Sequence, residues 1–384
     1  MMEFVRVRWP FGGFPWATLG LSISATPLRS SAQWIGASGW SVLIVSLCAV
    51  AVLWIRRRRG AGAVVSLVAV VVLLGVFGLI APATADGEEV RVAMVQGNSP
   101  CPGTRCLGER VAIYEAHLAL TRQIEPGSVD LVVWPESSTG FSAHPLTNPA
   151  VAEAVAAEAV RIGAPILVGG DRSDGEANFI NSNAFFDERG VFVGEYRKVH
   201  PVPFGEFVPF RPLLDWIPPL ARVPRDMTRG SGPVLFDLEA GPIGSVISYE
   251  GAFARYERQM IAEGARLLIV ATNEASYGDS PASDQFLAIS RVRAAEFGTD
   301  IVQVAVTGKS AIISASGELR GVTGLFESAL VIESVSMRSA GPTLYSRIGD
   351  LVATLTILAL GGAIVRDRLS TSPRVVRSGA DPKT

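Results

Sequence analysis

Charge is scarce in this chain, and so are the residues that hold metals. Asp, Glu, Lys and Arg make up 18% of its 384 residues, against roughly 25% in a typical soluble domain. There are three cysteines and three histidines. Cys48, Cys101 and Cys106 lack any zinc-ligand spacing, and the histidines do not cluster with them, so neither a metal nor an organic cofactor is expected. A formal net charge of -2 gives no overall pull toward nucleic acid. No internal repeat and no long low-complexity tract interrupts the chain. Apolar residues are plentiful: 48% of the chain is hydrophobic and the mean hydropathy is +0.34. Membrane spans are therefore the first expectation, beside one large domain.

Residues 35–55 form an uncharged apolar run closed by Arg56-Arg57-Arg58-Arg59, and 61–81 form a second, rich in Val and Leu. Each is about the ~20 residues a helix needs to cross a bilayer. A weaker third run, 348–365, is bounded by Arg347, Arg366 and Arg368 and carries Asp350 near its start, which must then lie at the interface. The competing reading of each run is a buried core helix. The arginines between the first two runs predict a cytoplasmic loop within a membrane pair spanning 35–82. The domain at 88–337 then lies outside. A tail at 366–384, with Arg366, Arg368, Arg374 and Arg377, returns to the cytoplasm. A second reading takes the arginines, the apolar run and Ala83-Thr84-Ala85 as a signal peptide. That run is longer than the roughly 7–15 residues of a signal core, and it stands far from the N-terminus. Both readings put the large domain outside, where Cys101 and Cys106 can form a small-loop disulfide.

The first segment, 1–34, contains VRVRWPFGGFPWATLG. Its Trp9 and Trp16, with Trp34 and with Trp40 further on, suit a membrane interface, because indole is half apolar and half wet. From Val90 onward, RVAMVQGN, DLVVWPE, APILVGGD, GSVIS, RLLIVATN and IVQVAVTG read as strands. Between them 110–123, 149–162, 252–263 and 284–297 have helical spacing of Ala, Leu and Ile. Alternating strand and helix predicts an α/β layered domain with functional residues at strand ends.

Three segments carry the chemistry. In VVWPESS, Glu136 ends an apolar strand, where a partly desolvated carboxylate can accept a proton. In YRKVHPVPFGEFVPF, the ammonium of Lys198 can stabilise the oxyanion of a tetrahedral intermediate. In GSVISYEGAF, Ser248 stands at a strand end in the nucleophile's place. A serine hydroxyl is far less acidic than a thiol and usually needs a histidine-type base. His200 follows Lys198 by two positions, yet nothing in the sequence sets it against Ser248.

Acid, lysine and nucleophile in this order resemble the nitrilase superfamily. The flanking residues, with VQGN, NEASYGDS, RVRAAEFG and TLYSRIGD, resemble its membrane-bound branch, the apolipoprotein N-acyltransferases. The resemblance implies a four-layer α-β-β-α sandwich flanked by transmembrane helices. It implies Glu206 and Glu250 as supporting acids and Tyr249 beside the acyl chain. It also implies spans ahead of the aromatic segment, so an N-terminally short member is expected. In the family a cysteine stands where this chain has Ser248. VAVTG replaces an Asn-rich turn, and Gln285-Phe286 falls where a histidine is common. The implied reaction moves an acyl chain from a phospholipid donor to the amine of a lipoprotein's diacylglyceryl cysteine. Two other readings stand beside it: a catalytically silent homologue that binds lipoprotein, lipid or a partner protein, and a membrane-anchored amidase.

Overall fold

A computed structural model describes residues 2–57, 61–80, 84–101, 106–214, 216–339 and 341–370. Arg58, Arg59, Ala83, Arg374 and Arg377, on which part of the topology and cleavage readings rest, lie outside the described residues. A short helix α1 (Met2–Arg6) precedes the aromatic segment, and the first two apolar runs become α2 (Ala32–Arg57) and α3 (Ala61–Ile80). Helix α2 is not straight. Gly36 takes φ 63°, and a Cβ there would lie 2.1 Å from the Tyr345 ring, so only glycine fits the break. The break frees the Ala37 N–H, which donates to the buried Glu296 carboxylate at 2.7 Å. Pro27–Arg56, 30 residues, is the helical stretch among the described residues that is long and apolar enough to cross a membrane. Val64–Ile80 and Leu351–Gly362 are shorter apolar helices.

The tryptophans divide. Trp9 is 70% exposed, whereas Trp40 is 2% exposed. Trp40 donates to Ser31 Oγ at 3.0 Å and packs with Ile23, Val292 and Ala295. Trp16 stacks on Phe286 at 5.7 Å and donates to Gln285 Oε1 at 2.5 Å. The interfacial expectation thus fails for Trp40, because the domain itself offers its ring an apolar face and a hydrogen-bond acceptor, while Trp16 stays half-buried.

Strands β1 (Glu89–Gln96), β2 (Leu131–Val133) and β3 (Ile166–Asp174) run parallel, joined by α4 (Glu109–Thr121) and α5 (Pro149–Ile162). Asn148 starts α5 by accepting from Ala150 N at 3.1 Å, ahead of Pro149 in the first turn. Strands β4 (Asn178–Phe186) and β5 (Phe192–Arg197) continue the sheet antiparallel, and β6 (Asp226–Met227) pairs with β4 beyond helix α6 (Arg211–Leu214). The second sheet holds β7 (Leu235–Leu238), β8 (Gly241–Ile247), β9 (Leu267–Thr272), β10 (Ile301–Ala305), β11 (Ala311–Ile313) and β12 (Leu319–Arg320). Its parallel centre, β8 to β10, is built through α7 (Ala254–Ala262) and α8 (Ala282–Phe297). Strand β13 (Ala329–Ser336) returns to pair with β1, and α9 (Leu344–Ile348) and α10 (Leu351–Ser370) follow.

The period-2 alternation of β1 decides the layering. Val92 and Met94 face one core with Ile243, Ile269 and Val302 of the second sheet, while Ala93 and Val95 face another with Leu118, Val151 and Val155. Phe185 and Phe236 stack at 4.8 Å between the sheets. Helices α7 and α8 cover the outer face of the second sheet through Met260, Phe286 and Phe297. The result is the expected α-β-β-α sandwich. The third apolar run is not one helix from Ile348: the chain breaks at Gly349, φ 55°. Asp350 sits in the break, accepting from Ser38 Oγ at 2.7 Å and Tyr345 OH at 3.0 Å and pairing with Arg8.

His117, fully buried on α4, accepts from Gly97 N at 3.1 Å through Nε2 and donates to Ile113 O at 2.7 Å through Nδ1. A second ring proton would face the Gly97 N–H. Burial, opposed only by the bond to Ile113 O, brings its pKa down to about 4. The unfolded histidine, near 6.5, binds the proton first as pH falls. Its stability contribution is whole above about pH 6.5 and is lost toward pH 4, a loss on the order of 3 kcal/mol at ~1.4 kcal/mol per unit. Unfolding followed across this range should therefore show a steeper acid loss in the wild type than in His117→Gln.

Candidate active site

The parallel strands of both sheets end at the same rim. Strand β2 runs through the buried Trp134 into Glu136, which is 5% exposed. Strand β5 runs into Lys198, which is 1% exposed and fixed by a bond from its N–H to Asn181 O at 2.9 Å. Lys198 Nζ donates to Glu136 Oε1 at 3.0 Å and to Glu206 Oε1 at 2.6 Å. The other oxygen of Glu206 accepts from Val202 N at 2.7 Å, so the PVPFGE loop curls around the ammonium. Asn181 Nδ2 donates to Glu136 Oε1 at 2.7 Å.

Burial works against the charge of Lys198, but the Glu136 and Glu206 carboxylates outweigh it and hold the ammonium above its ordinary range. Burial raises Glu206, with Lys198 opposing and Glu136 adding to the rise. Two carboxylates around one ammonium leave an excess negative charge, which adds to the rise of Glu206.

Ser248 follows β8 with φ 51°, a left-handed conformation that a serine adopts at a cost of about 1–3 kcal/mol. The turn is held by Glu250. Its Oε2 accepts from Ile247 N at 2.9 Å and Tyr196 OH at 2.9 Å. Its Oε1 accepts from Val199 N at 2.6 Å and His200 N at 2.9 Å. One carboxylate thereby ties the Ser248 turn to the backbone immediately after Lys198. Burial raises Glu250 although these N–H groups favour its anion. Ser248 is half-buried, and its hydroxyl makes no hydrogen bond among the described residues.

Tyr249 is a packed side chain. Its hydroxyl donates to Gly13 O at 3.1 Å, and its ring meets His200 at 5.7 Å and Phe253 at 4.9 Å. His200 lies among these rings and Tyr256, and its Nε2 is buried without a partner, so it does not serve Ser248 as a base. Burial, then Arg255 and Arg229, lower its pKa to about 4. Gln285 accepts from Trp16 Nε1 and is thereby taken up outside the cluster around Lys198.

Sequence reasoning missed two residues at this rim. Asn181 sits on β4 within NFINSNAFF, which carries no motif. Glu274 follows β9, where burial pushes its carboxyl up to about 8 and Gln303 Nε2 approaches its Oε1 at 3.4 Å. Its place in NEASYGDS, directly after an apolar strand, was the available signal.

Residues 91–345 match the carbon-nitrogen hydrolase family, and residues 1–50 match the apolipoprotein N-acyltransferase N-terminal domain. Among solved structures, the fold is similar to that of an amidase from Nesterenkonia sp. AN1 whose active-site cysteine carries an acrylamide adduct. The TM-score is 0.51 at 17% identity, covering 68% of this chain and 98% of that one. The double sheet is thus a carbon-nitrogen hydrolase fold of the nitrilase superfamily. The apolipoprotein N-acyltransferase of Geobacter metallireducens is 33% identical over 92% of this chain and 69% of its own length. That of Methylococcus capsulatus is 32% identical over 91% and 68%, and that of Gloeobacter violaceus 30% over 93% and 70%. The chain belongs to the apolipoprotein N-acyltransferase family and spans about two thirds of the length of these relatives.

Removing Lys198 leaves Glu136 and Glu206 buried and facing each other. Lys198→Met should cost about 3–5 kcal/mol, whereas Glu206→Gln keeps a hydrogen-bonding group in place and should cost about 1 kcal/mol. The double variant should cost less than the sum of the two, because the repulsion then disappears. Denaturant unfolding of the four proteins in detergent measures this coupling.

Proposed function

We propose that this protein transfers an acyl chain from a phospholipid to the N-terminal amine of a lipoprotein's diacylglyceryl cysteine, with Glu136, Lys198 and Ser248 as the reacting groups. The observation that carries the reading is the buried Glu136–Lys198–Glu206 cluster, tied through Glu250 to the turn that presents Ser248. The Ser248 hydroxyl attacks the donor ester carbonyl, and its proton passes to Glu136. The Lys198 ammonium stabilises the oxyanion. As the tetrahedral intermediate collapses, the lysophospholipid leaves with the proton from Glu136, and the acyl group stays as an ester on Ser248. The lipoprotein amine then attacks that ester and gives a proton to Glu136. The amide departs, and Ser248 regains its proton.

One observation favours the silent reading instead: among the described residues the Ser248 hydroxyl has no hydrogen-bonded base. Substitution decides between the two. Ser248→Cys should raise acyl transfer tenfold or more, each ~1.4 kcal/mol of barrier being a factor of ten. Ser248→Ala should abolish transfer, and Glu136→Gln or Lys198→Ala should remove the gain made by the cysteine variant. Mass spectrometry of a lipoprotein N-terminus reads the product. A folded, membrane-inserted cysteine variant that traps no acyl group from a phospholipid would establish the silent homologue.

The reaction needs a membrane location, and three helices fit one. Helix α2 packs against α3 and α10, and all three expose large apolar side chains, among them Ile55, Val65, Ile80 and Leu358. The Cys101–Cys106 disulfide suits an oxidising exterior. In the resulting topology, reporter fusions at Gly60 and after Arg377 give a cytoplasmic signal and one at Gly241 an external signal. A cytoplasmic signal at Gly241 would sink both the topology and the lipoprotein role.

A further inference from the structure

A cavity of about 870 Å³ lies where α2, α10, α7 and the N-terminal segment meet. It has two unlike ends. Val42 and Val45 of α2, with Ile357 and Leu360 of α10, make one wall apolar. Val45 and Leu360 are 55% and 57% exposed, so this end is open, and in the proposed membrane location it opens toward lipid. The other end is cationic: Arg8, Arg255, Arg258 and Arg293 line the cavity against the carboxylates of Glu3 and Asp350. Most of these charges are already answered. Arg8 pairs with Asp350 and Arg293 with Glu296. Glu3 Oε1 accepts from Leu19 N at 2.7 Å.

Two guanidiniums remain without a carboxylate. Arg255 donates only to neutral groups, Gly12 O at 2.9 Å and Tyr256 OH at 3.3 Å, and lies 4.2 Å from the centroid of the Phe253 ring. Arg258 is half-buried against Gly349 and makes no hydrogen bond or ion pair among the described residues. Spaced i and i+3 on α7, the two project to one face of the helix. A half-buried guanidinium without a counter-charge is costly. A phosphate is the group that planar guanidiniums satisfy best. An apolar slot between two helices continues from that point.

We infer that this cavity binds an anionic phospholipid, its phosphate between Arg255 and Arg258 and one acyl chain between α2 and α10. Glu136, Lys198 and Ser248 are not among its lining residues. The inferred lipid is a resident one, bound apart from the acyl donor of the proposed reaction.

The test uses the full chain carrying Ser248→Ala, in which no acyl-serine can form, so a failure here is distinct from a failure of the proposed reaction. Native mass spectrometry after partial delipidation should show phosphatidylglycerol retained at least tenfold over phosphatidylcholine. Arg255→Gln with Arg258→Gln should abolish that preference, and Val42→Trp, which fills the apolar slot, should lower retention of both lipids. Arg258→Lys keeps a cation in place and should keep the preference for phosphatidylglycerol. Equal retention of the two lipids by the starting protein, or an unchanged preference in the glutamine double variant, overturns the inference. So does displacement by millimolar inorganic phosphate, which would mark a headgroup site without a chain. A dimer that closes over this face and sheds no lipid overturns it as well.

Discussion

The structure turns on one buried ammonium. Lys198 is removed from water, and the charge survives there because two carboxylates and a polar scaffold surround it. That requirement sets much of the local architecture. Strand β2 must end at Glu136 and β5 at Lys198, side by side at one rim. The loop after Lys198 must turn back within eight residues to deliver Glu206. Asn181 must lie between the carboxylates, because without its Nδ2 the Glu136 oxygen would lose a donor in a buried place. Glu250 extends the network to the second sheet, and through it the Ser248 turn is positioned by the same residues that position the lysine.

A second buried pair joins the domain to the apolar helices. Arg293 and Glu296 sit on α8, and Glu296 also accepts from Ala37 N at the break in α2. A carboxylate at the start of the long apolar segment answers an otherwise unpaired N–H and the positive end of the helix. The break itself depends on Gly36, beside Tyr345. Tyr345 also bonds Asp350, which holds Ser38 and Arg8. The entry of one apolar helix and the exit of another are thus fixed to one polar cluster at the base of the sandwich. The domain is thereby fixed to the apolar helices through side-chain contacts of this cluster.

The parallel strands and their crossover helices were legible because each is buried on both faces or amphipathic. RVAMVQGN and RLLIVATN are near-continuous apolar runs, and 149–162 carries its apolar stripe between Asn148 and Gly163. The antiparallel strands were not legible. Strand β4 reads NFINSNAFF, and its polar residues face the site or the sheet interior, so alternation gives way to hydrogen bonding. Strands β5 and β13 are half-exposed and carry charged residues that mask the period. Asn181 was lost with β4. Glu136, Lys198, Glu206 and Glu250 were found by motif, and all four prove hydrogen-bonded into one connected site. Trp40 was misread because an indole in an apolar helix looks the same whether lipid or a packed helix covers it.

Ser248 separates two properties that a nucleophile site usually merges. The positive φ at this position is stabilised by the Glu250 bonds to Ile247, Val199 and His200, none of which uses the Ser248 side chain. The ammonium of Lys198 is likewise held by Glu136 and Glu206, with no bond to Ser248 among the described residues. Backbone geometry and the placing of the ammonium are therefore independent of whether sulfur or oxygen occupies the turn. Nucleophile activation is not. A thiol near pKa 8.5 needs only a modest electrostatic push to ionise, whereas a hydroxyl must lose its proton to a base as it attacks. His200 is packed among aromatic rings, and the Glu136 carboxylate accepts from both Lys198 and Asn181 through one oxygen, Oε1. Its other oxygen, Oε2, accepts from neither, so in the proposed reaction Glu136 can take up the Ser248 proton without giving up either donor, and the barrier that oxygen adds over sulfur is the proton transfer itself.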